Sequence, residues 1–215
     1  MTNSSYLSTI SISERKRSLA LSRIIKTMIQ ASPTKNIGFD LFMELALYAP
    51  QLGYYEADNE VFGMGGDFVT APELGDLFGR CVARQCSEIL TGAISDIYEV
   101  GAGKGTLAKT IINELTKGAG ELERSYFIED RSAKMRKLCL EVRETSNVKV
   151  VIKSPNLEGP INGVVIANEL LDAMPAKRFI KHNNQIMESV VGLENNEFVW
   201  QMVETNPDSE HPKGM

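Results

Sequence analysis

The sequence predicts an α/β protein, in which a parallel sheet with helices on both faces follows a helical region and precedes a short β-meander. From residue 96 onward, short apolar runs alternate with segments of helical spacing, which is typical of right-handed βαβ units. After Pro175, three β-like runs are separated by "HNN" and "ENN", which are turn residues of an antiparallel meander. We therefore expect a helical cap with a Gly-rich loop at 1–90, an α/β core at 91–176, and a meander with a polar tail at 177–215.

The elements follow from local spacing. Apolar positions at helical intervals predict helices over 14–31, 39–48 and 74–90, and a long loop rich in glycine and aromatic residues joins the last two. Long ordered loops are usually functional. The core is predicted to contain strands 96–100, 125–129, 148–152 and 163–167 with helices 106–115 and 132–142, and the meander to contain strands 178–181, 186–191 and 198–203.

Composition excludes several classes of function. The 215 residues carry a net charge of −5, which argues against nucleic acid as a partner. No apolar run is long enough to span a membrane, so we expect no membrane partner. With three cysteines in no paired or CxxC pattern and only two histidines, we expect no metal site and a reducing compartment. The expected location is a bacterial-type cytoplasm rather than the mitochondrial matrix, although the basic, Ser/Thr-rich N-terminus faintly resembles a transit peptide.

The stretch "EVGAGKGTLA" places a glycine loop between a predicted strand and a predicted helix. It is not a P-loop, because Lys104 is followed by Gly105, and its GxGxG spacing differs from the GxGxxG of dinucleotide sites. Glu99 is unfavourable beside a pyrophosphate but suits a cationic ligand such as S-adenosylmethionine (SAM). The loop residues predicted to contact this cofactor are Gly101, Ala102, Gly103 and Gly105.

A second acidic position strengthens this prediction. The next strand ends in "YFIED", so Glu129 or Asp130 can bind a ribose diol at the carboxyl edge of the sheet. An acidic residue before GxGxG, followed by an acidic end of strand two, is typical of class I methyltransferases. The alternative is a glycine turn that only lets a helix pack closely on a strand.

A third motif, "VVIANELLDAMPAKRF", follows the fourth predicted strand of the core. It brings Asn168, Glu169 and Asp172 to the edge where ligands of open α/β sheets bind. We expect Asn168 beside the cofactor, and Glu169 and Asp172, on the first turn of a helix, beside the methyl acceptor. Alternatively, Asn168 caps that helix and the two acids complement its dipole. The stretch lacks the "NPPY" pattern of enzymes that methylate nucleic-acid amino groups.

Four motifs in order, "FMELALYAPQLGYY", "GGDFVTAPELGDLFG", "EVGAGKGTLA" and "ANELLDAMPAKRF", resemble the MidA (DUF185) family of SAM-dependent methyltransferases. Mitochondrial members of that family are complex I assembly factors that dimethylate an arginine. The resemblance implies a class I, Rossmann-like fold, SAM as the cofactor and a protein arginine as the substrate. It makes Glu169 and Asp172 the first candidates for acceptor binding and catalysis, with Asp67 and Glu73 as second candidates; Tyr54 and Tyr55 suit either the core or a wall of the site.

The sequence departs from the family in two ways. Family members have one acidic residue followed by Pro-Ser after strand two, and alignment of "EDRSAKMR" on Ser132 points to Asp130 rather than Glu129. Family members are also longer, and the later "ALLIDYG" strand does not occur here. An incomplete sheet needs another segment, domain or copy at its open edge, which includes a homodimer. The alternative function is therefore a truncated, non-catalytic module that binds SAM and docks to a partner.

Overall fold

The computed structural model describes residues 11–57, 69–90, 96–117, 125–145, 148–153, 161–183 and 185–205. Contacts divide the chain into two compact units, one formed by Met1–Tyr54 with Met174–Met215 and the other by Tyr55–Ala173. Residues 1–90, expected as one helical cap, are therefore shared between the two units. Within the described ranges, no helix combines the length and the apolar character that a membrane crossing requires.

The elements in chain order are α1 (Ile12–Ala31), β1 (Asn36–Gly38), α2 (Phe39–Tyr48), a 3₁₀ turn (Ala71–Glu73), α3 (Asp76–Ile89), β2 (Asp96–Val100), α4 (Thr106–Leu115), β3 (Ser125–Glu129), α5 (Ala133–Leu138), α6 (Leu140–Thr145), β4 (Lys149–Lys153), β5 (Gly163–Ile166), β6 (Arg178–His182), β7 (Gln185–Glu194) and β8 (Glu197–Glu204). The predicted bounds of α2, β2, α4 and β3 agree with these. The helix predicted over 132–142 is instead two short helices with a break at Cys139.

In the first unit, two helices pack on a small antiparallel sheet. Strand β7 pairs with β8 on one side and with β6 and β1 on the other. Helix α1 begins with a capping box, in which Ser11 and Glu14 satisfy each other's backbone N–H groups. Strand β1, which the sequence did not predict, is only three residues long and exists because it pairs with β7. The core of this unit contains Ile25, Ile29, Ile37 and Val191.

In the second unit, four parallel strands form a sheet of order β4-β3-β2-β5. The chain moves outward from β2 to β3 and β4, then returns to place β5 on the other side of β2. The strand order therefore reverses between β2 and β5. Open α/β sheets bind ligands at such a reversal, at the carboxyl ends of the strands.

Helices α3, α4 and α6 contribute apolar side chains to one face of the sheet, and the expectation of helices on the other face as well stays a prediction. Their apolar side chains surround Ile97, Tyr126, Ile128 and Val150, which share that face. On that other face, Tyr98 and Phe127 stack with centroids 4.6 Å apart.

Candidate cofactor site at the carboxyl edge of the parallel sheet

The glycine loop, residues 101–105, lies at the reversal of strand order. It joins the carboxyl end of β2 to the start of α4. Gly101, Gly103 and Gly105 have φ values of 73°, 56° and 80°, in the left-handed region where a Cβ is unfavourable. The backbone N–H of Gly101 donates to the carbonyl of Glu129 at 2.8 Å, which ties the loop to the neighbouring strand.

Side chains of the protein pack against the loop from two directions. A Cβ added to Gly105 would lie 2.7 Å from Cγ2 of Val142, and one added to Gly101 would lie 2.7 Å from Cδ1 of Leu170. The Cys139 thiol donates to the carbonyl of Gly103 at 3.4 Å. A side chain at Gly101 or Gly105 would therefore crowd Leu170 or Val142, in addition to straining the backbone.

Asp130 is the carboxylate that meets the loop. Its Oδ2 accepts the N–H of Gly103 at 3.3 Å, and its Oδ1 accepts the N–H of Ser132 at 2.8 Å. Burial raises the pKa of Asp130 to about 6, although these two hydrogen bonds oppose the shift. Since each oxygen accepts one N–H, each retains a lone pair for a hydroxyl donor. Two such oxygens side by side suit the two hydroxyls of a ribose.

The Glu129 side chain lies on the face of the sheet opposite to the one that α3 and α4 cover. Its carboxylate is fully buried and lies 2.9 Å from Nζ of Lys153, which also sits 5.7 Å from the ring centroid of Phe127. The contact with Lys153 is an ion pair without hydrogen-bond geometry, and within the described part of the chain neither oxygen has a hydrogen-bond donor. Side chains alternate along a strand, so Glu129 shares the face of Phe127. Of the two acids considered for the ribose, only Asp130 is brought to the loop.

Glu99 lies on the helix-covered face of β2 and is 2% exposed. The phenol of Tyr126 donates to its Oε2 at 2.7 Å. Burial raises the pKa of Glu99 to about 7, the Tyr126 hydrogen bond opposes the shift, and the charge of Asp130 adds to it. The sequence analysis did not single out Tyr126. A signal for it is the alternation of side chains along β3: Tyr126 precedes Phe127, so its side chain lies on the other face of the sheet, where Glu99 also lies.

We expect Glu99→Gln to stabilise the protein at pH 8.5 and to leave its stability nearly unchanged at pH 5. A carboxyl whose pKa rises on folding contributes stability below its unfolded value, near 4.5, and this is lost as pH rises through about 7. The amide keeps an acceptor for Tyr126 but cannot ionise. The expected gain at pH 8.5 is on the order of 2–3 kcal/mol, measured by thermal unfolding across pH. Glu141→Gln, which removes an exposed pair with Lys109, should show no such pH dependence; equal pH dependence in both variants would contradict the prediction.

The turn after β5 differs from the prediction, because Glu169 and Asp172 do not lie on the first turn of an α-helix. Glu169 has a φ of 50°, and a single 3₁₀ turn covers Leu171–Ala173. Pro175 follows closely and disfavours continued helix in the residue before it. Both acids are exposed and Asn168 is half-buried.

The contact of Leu170 with Gly101 brings this turn against the glycine loop. A non-glycine residue in the left-handed region, as Glu169 is, occurs preferentially at functional sites. The turn and the loop therefore form adjacent parts of one edge of the sheet.

Tyr55 contacts the start of α5, close to this edge of the sheet. Its carbonyl accepts the Ser132 hydroxyl at 3.1 Å, so its backbone is held at the start of α5. Burial raises the pKa of its phenol, and the charges of Asp172 and then Asp130 add to that shift. The negative charges of Asp172 and Asp130 therefore act on this phenol, and its role in the core or in a wall of the site stays a prediction.

Asp67 and Glu73, the second candidates for binding the methyl acceptor, have different outcomes. Asp67 lies outside the described residues. Glu73, at the end of the 3₁₀ turn, is engaged by the glycine loop itself: its Oε1 accepts the hydroxyl of Thr106 at 2.6 Å, and its Oε2 lies 3.2 Å from Nζ of Lys104. The structure therefore brings Glu73 to the cofactor side of the edge.

These residues fit SAM. The left-handed glycines bring backbone atoms close to the space that a ligand would occupy. Asp130 offers two acceptors for a diol. Glu99 and Asp130, at the ends of two neighbouring strands, favour a ligand that carries sulfonium and ammonium charges. Ala102, between the first two glycines, is half-buried and adds no bulk.

Known proteins are similar to this chain in sequence. Residues 79–214 match the family described as putative S-adenosyl-L-methionine-dependent methyltransferase. A curated Danio rerio relative, named protein arginine methyltransferase NDUFAF7, mitochondrial, is 28% identical over 211 residues, which cover 83% of this chain and 50% of the relative. The Caenorhabditis elegans homolog of the same name is 28% identical over 71% of this chain and 42% of its own length. The chain thus spans about half the length of the curated relatives that it matches.

Solved structures agree with the fold. A COG1565 superfamily member from Burkholderia thailandensis, bound to S-adenosyl-homocysteine (SAH), has a TM-score of 0.81 and 32% identity over 92% of this chain and 53% of that chain. A native crystal structure of a COG1565 superfamily protein from the same organism has a TM-score of 0.76 and 31% identity over 93% of this chain and 52% of that chain. The predicted methyltransferase fold and SAM as its cofactor are confirmed.

Proposed function

This chain belongs to the family of putative S-adenosyl-L-methionine-dependent methyltransferases, the MidA-type group that its motifs resemble, and we propose that it methylates the guanidino group of a protein arginine. The observation that carries the proposal is the meeting of three features at one edge of the sheet. The glycine loop contacts Asp130 through Gly103 and contacts the acidic turn through Leu170. A cofactor site and an acceptor site can therefore be adjacent.

The chain's own residues bind and orient the cofactor. Asp130 would accept the ribose hydroxyls, and the backbone of Gly101, Ala102 and Gly103 would line the cofactor site. Glu99, held by Tyr126, supplies negative potential from beneath the loop. Asn168 offers an amide at the neighbouring strand end. When bound, SAM supplies an electrophilic methyl group on a sulfonium.

The acceptor is held by exposed carboxylates on the turn after β5. Glu169 and Asp172 attract a guanidinium and can orient it by charge-assisted hydrogen bonds. Because a guanidinium is protonated in water, one of these carboxylates would also take up the proton that the methylated nitrogen releases.

The choice of arginine rests on the relatives. The Danio rerio and Caenorhabditis elegans proteins are named protein arginine methyltransferases, and the turn supplies the paired acids that a guanidinium requires. Their names also place them in mitochondria, whereas the cytoplasmic location and the homodimer expected from the sequence remain predictions.

The test is methyl transfer to protein. The chain is incubated with radiolabelled SAM and a protein extract, and the labelled protein is hydrolysed to amino acids; we expect the label in methylarginine. Calorimetry with SAH on the same preparation should show binding. Binding of SAH without any labelled protein would support the alternative of a non-catalytic, partner-docking module, and label in another amino acid would contradict the arginine assignment.

A further inference from the structure

Glu73 contacts Lys104 in the glycine loop and Thr106 at the start of α4, which lie 31 and 33 positions later in the sequence. Its side chain is 13% exposed, and its two oxygens are used separately, one by the Thr106 hydroxyl and one by the Lys104 ammonium. These partners stand on either side of Gly105, the left-handed residue that opens α4. One carboxylate therefore holds both ends of the tightest part of the loop.

The surrounding packing keeps Glu73 in this place. Helices α3 and α4 lie so close that a Cβ on Gly79 would be 2.7 Å from Thr110, which fixes the turn before α3 near the start of α4. Gly105 provides no side chain to cap α4. A carboxylate at the first turn of that helix is also favoured by the helix dipole.

We propose that Glu73 is a positioning residue that clamps Lys104 and Thr106, so that the glycine loop keeps the conformation that receives SAM. The proposal rests on the proposed function of this edge and gives Glu73 a role other than binding the acceptor. Both of its oxygens are already engaged. The clamp also places a carboxylate 3.2 Å from the Lys104 ammonium, which reduces the repulsion between that charge and the sulfonium and ammonium of the cofactor.

The experiment compares Glu73→Ala, Glu73→Gln, Lys104→Met and the double variant Glu73→Gln/Lys104→Met. SAH affinity is measured by calorimetry, and hydrogen exchange of the amides of residues 103–106 is measured without ligand. We expect about tenfold weaker SAH binding and faster exchange in Glu73→Ala, because a hydrogen bond to a charged group is lost. Glu73→Gln keeps an acceptor for Thr106 and should be intermediate, and removal of the Lys104 charge in the double variant should recover part of its loss.

Glu114→Gln is the matched control. Glu114 is 14% exposed and pairs with Arg80 of α3 at 3.3 Å and with Lys117 at 2.7 Å, so it also links α3 and α4, but near the far end of α4. The Glu114→Gln variant should bind SAH within about twofold of the unmodified chain.

Several outcomes overturn the proposal. These are unchanged binding and exchange in Glu73→Ala, an equal loss in Glu114→Gln, or lost methyl transfer with unchanged SAH binding, which would make Glu73 an acceptor residue. If the unmodified chain fails to bind SAH, the proposed function fails, while the exchange measurement still tests the clamp.

Discussion

Asp130→Ala lowers the affinity for SAH by at least about a hundredfold, because two charge-assisted hydrogen bonds to the ribose hydroxyls are lost. The substitution also removes the acceptor that holds the N–H of Gly103. Asp130→Asn keeps the shape of the side chain but not its charge, so its affinity for SAH should lie between those of the unmodified chain and Asp130→Ala. Calorimetry with SAH measures all three proteins.

Glu129→Gln is the matched control, since Glu129 precedes Asp130 but faces the opposite side of the sheet, beside Lys153. We expect this variant to bind SAH far more tightly than Asp130→Ala does, because the Glu129 carboxylate pairs with Lys153 rather than with the glycine loop. A large loss in Glu129→Gln with none in Asp130→Ala would reverse the assignment of the ribose acid. SAH affinity should also fall as pH is lowered through about 6, where Asp130 gains a proton.

Glu169→Gln and Asp172→Asn, tested separately, lower methyl transfer by about a hundredfold or more, which is the usual contribution of a positioned acid or base. Both side chains are exposed, so the melting temperature and SAH affinity should change little. Steady-state transfer to a methyl-accepting protein, with thermal unfolding and calorimetry, separates these effects.

The competing explanation makes these acids only part of a turn. Glu169 has a φ of 50°, so a turn role predicts that Glu169→Asn, which tolerates this conformation, keeps both stability and transfer. A catalytic role predicts lost transfer in Glu169→Asn with stability kept. Full activity in both Glu169→Gln and Asp172→Asn would reduce the pair to turn residues and move the search for the acceptor site to Asp67.

Local pattern was sufficient for most elements of the second unit. The predicted bounds of β2, α4 and β3 agree with the structure, because alternating apolar positions and helical spacing are set by short-range geometry. The glycine loop and its two acidic neighbours were also visible in the sequence. In the first unit, β1 escaped prediction because three residues carry no periodicity and pair only with a distant strand.

By itself, the sequence determined the class of fold, the cofactor and the residues that could meet it, since each of these depends on neighbours within one strand–loop–helix unit. Only the tertiary structure decided what each candidate contacts. In the structure, the Glu129 side chain lies away from the loop, whereas Asp130 contacts it. Tyr126 donates to Glu99, and Glu73 contacts Lys104 and Thr106. The physical reason is that these contacts join residues 24 to 33 positions apart, and strand register and helix packing set such distances, which no local period encodes.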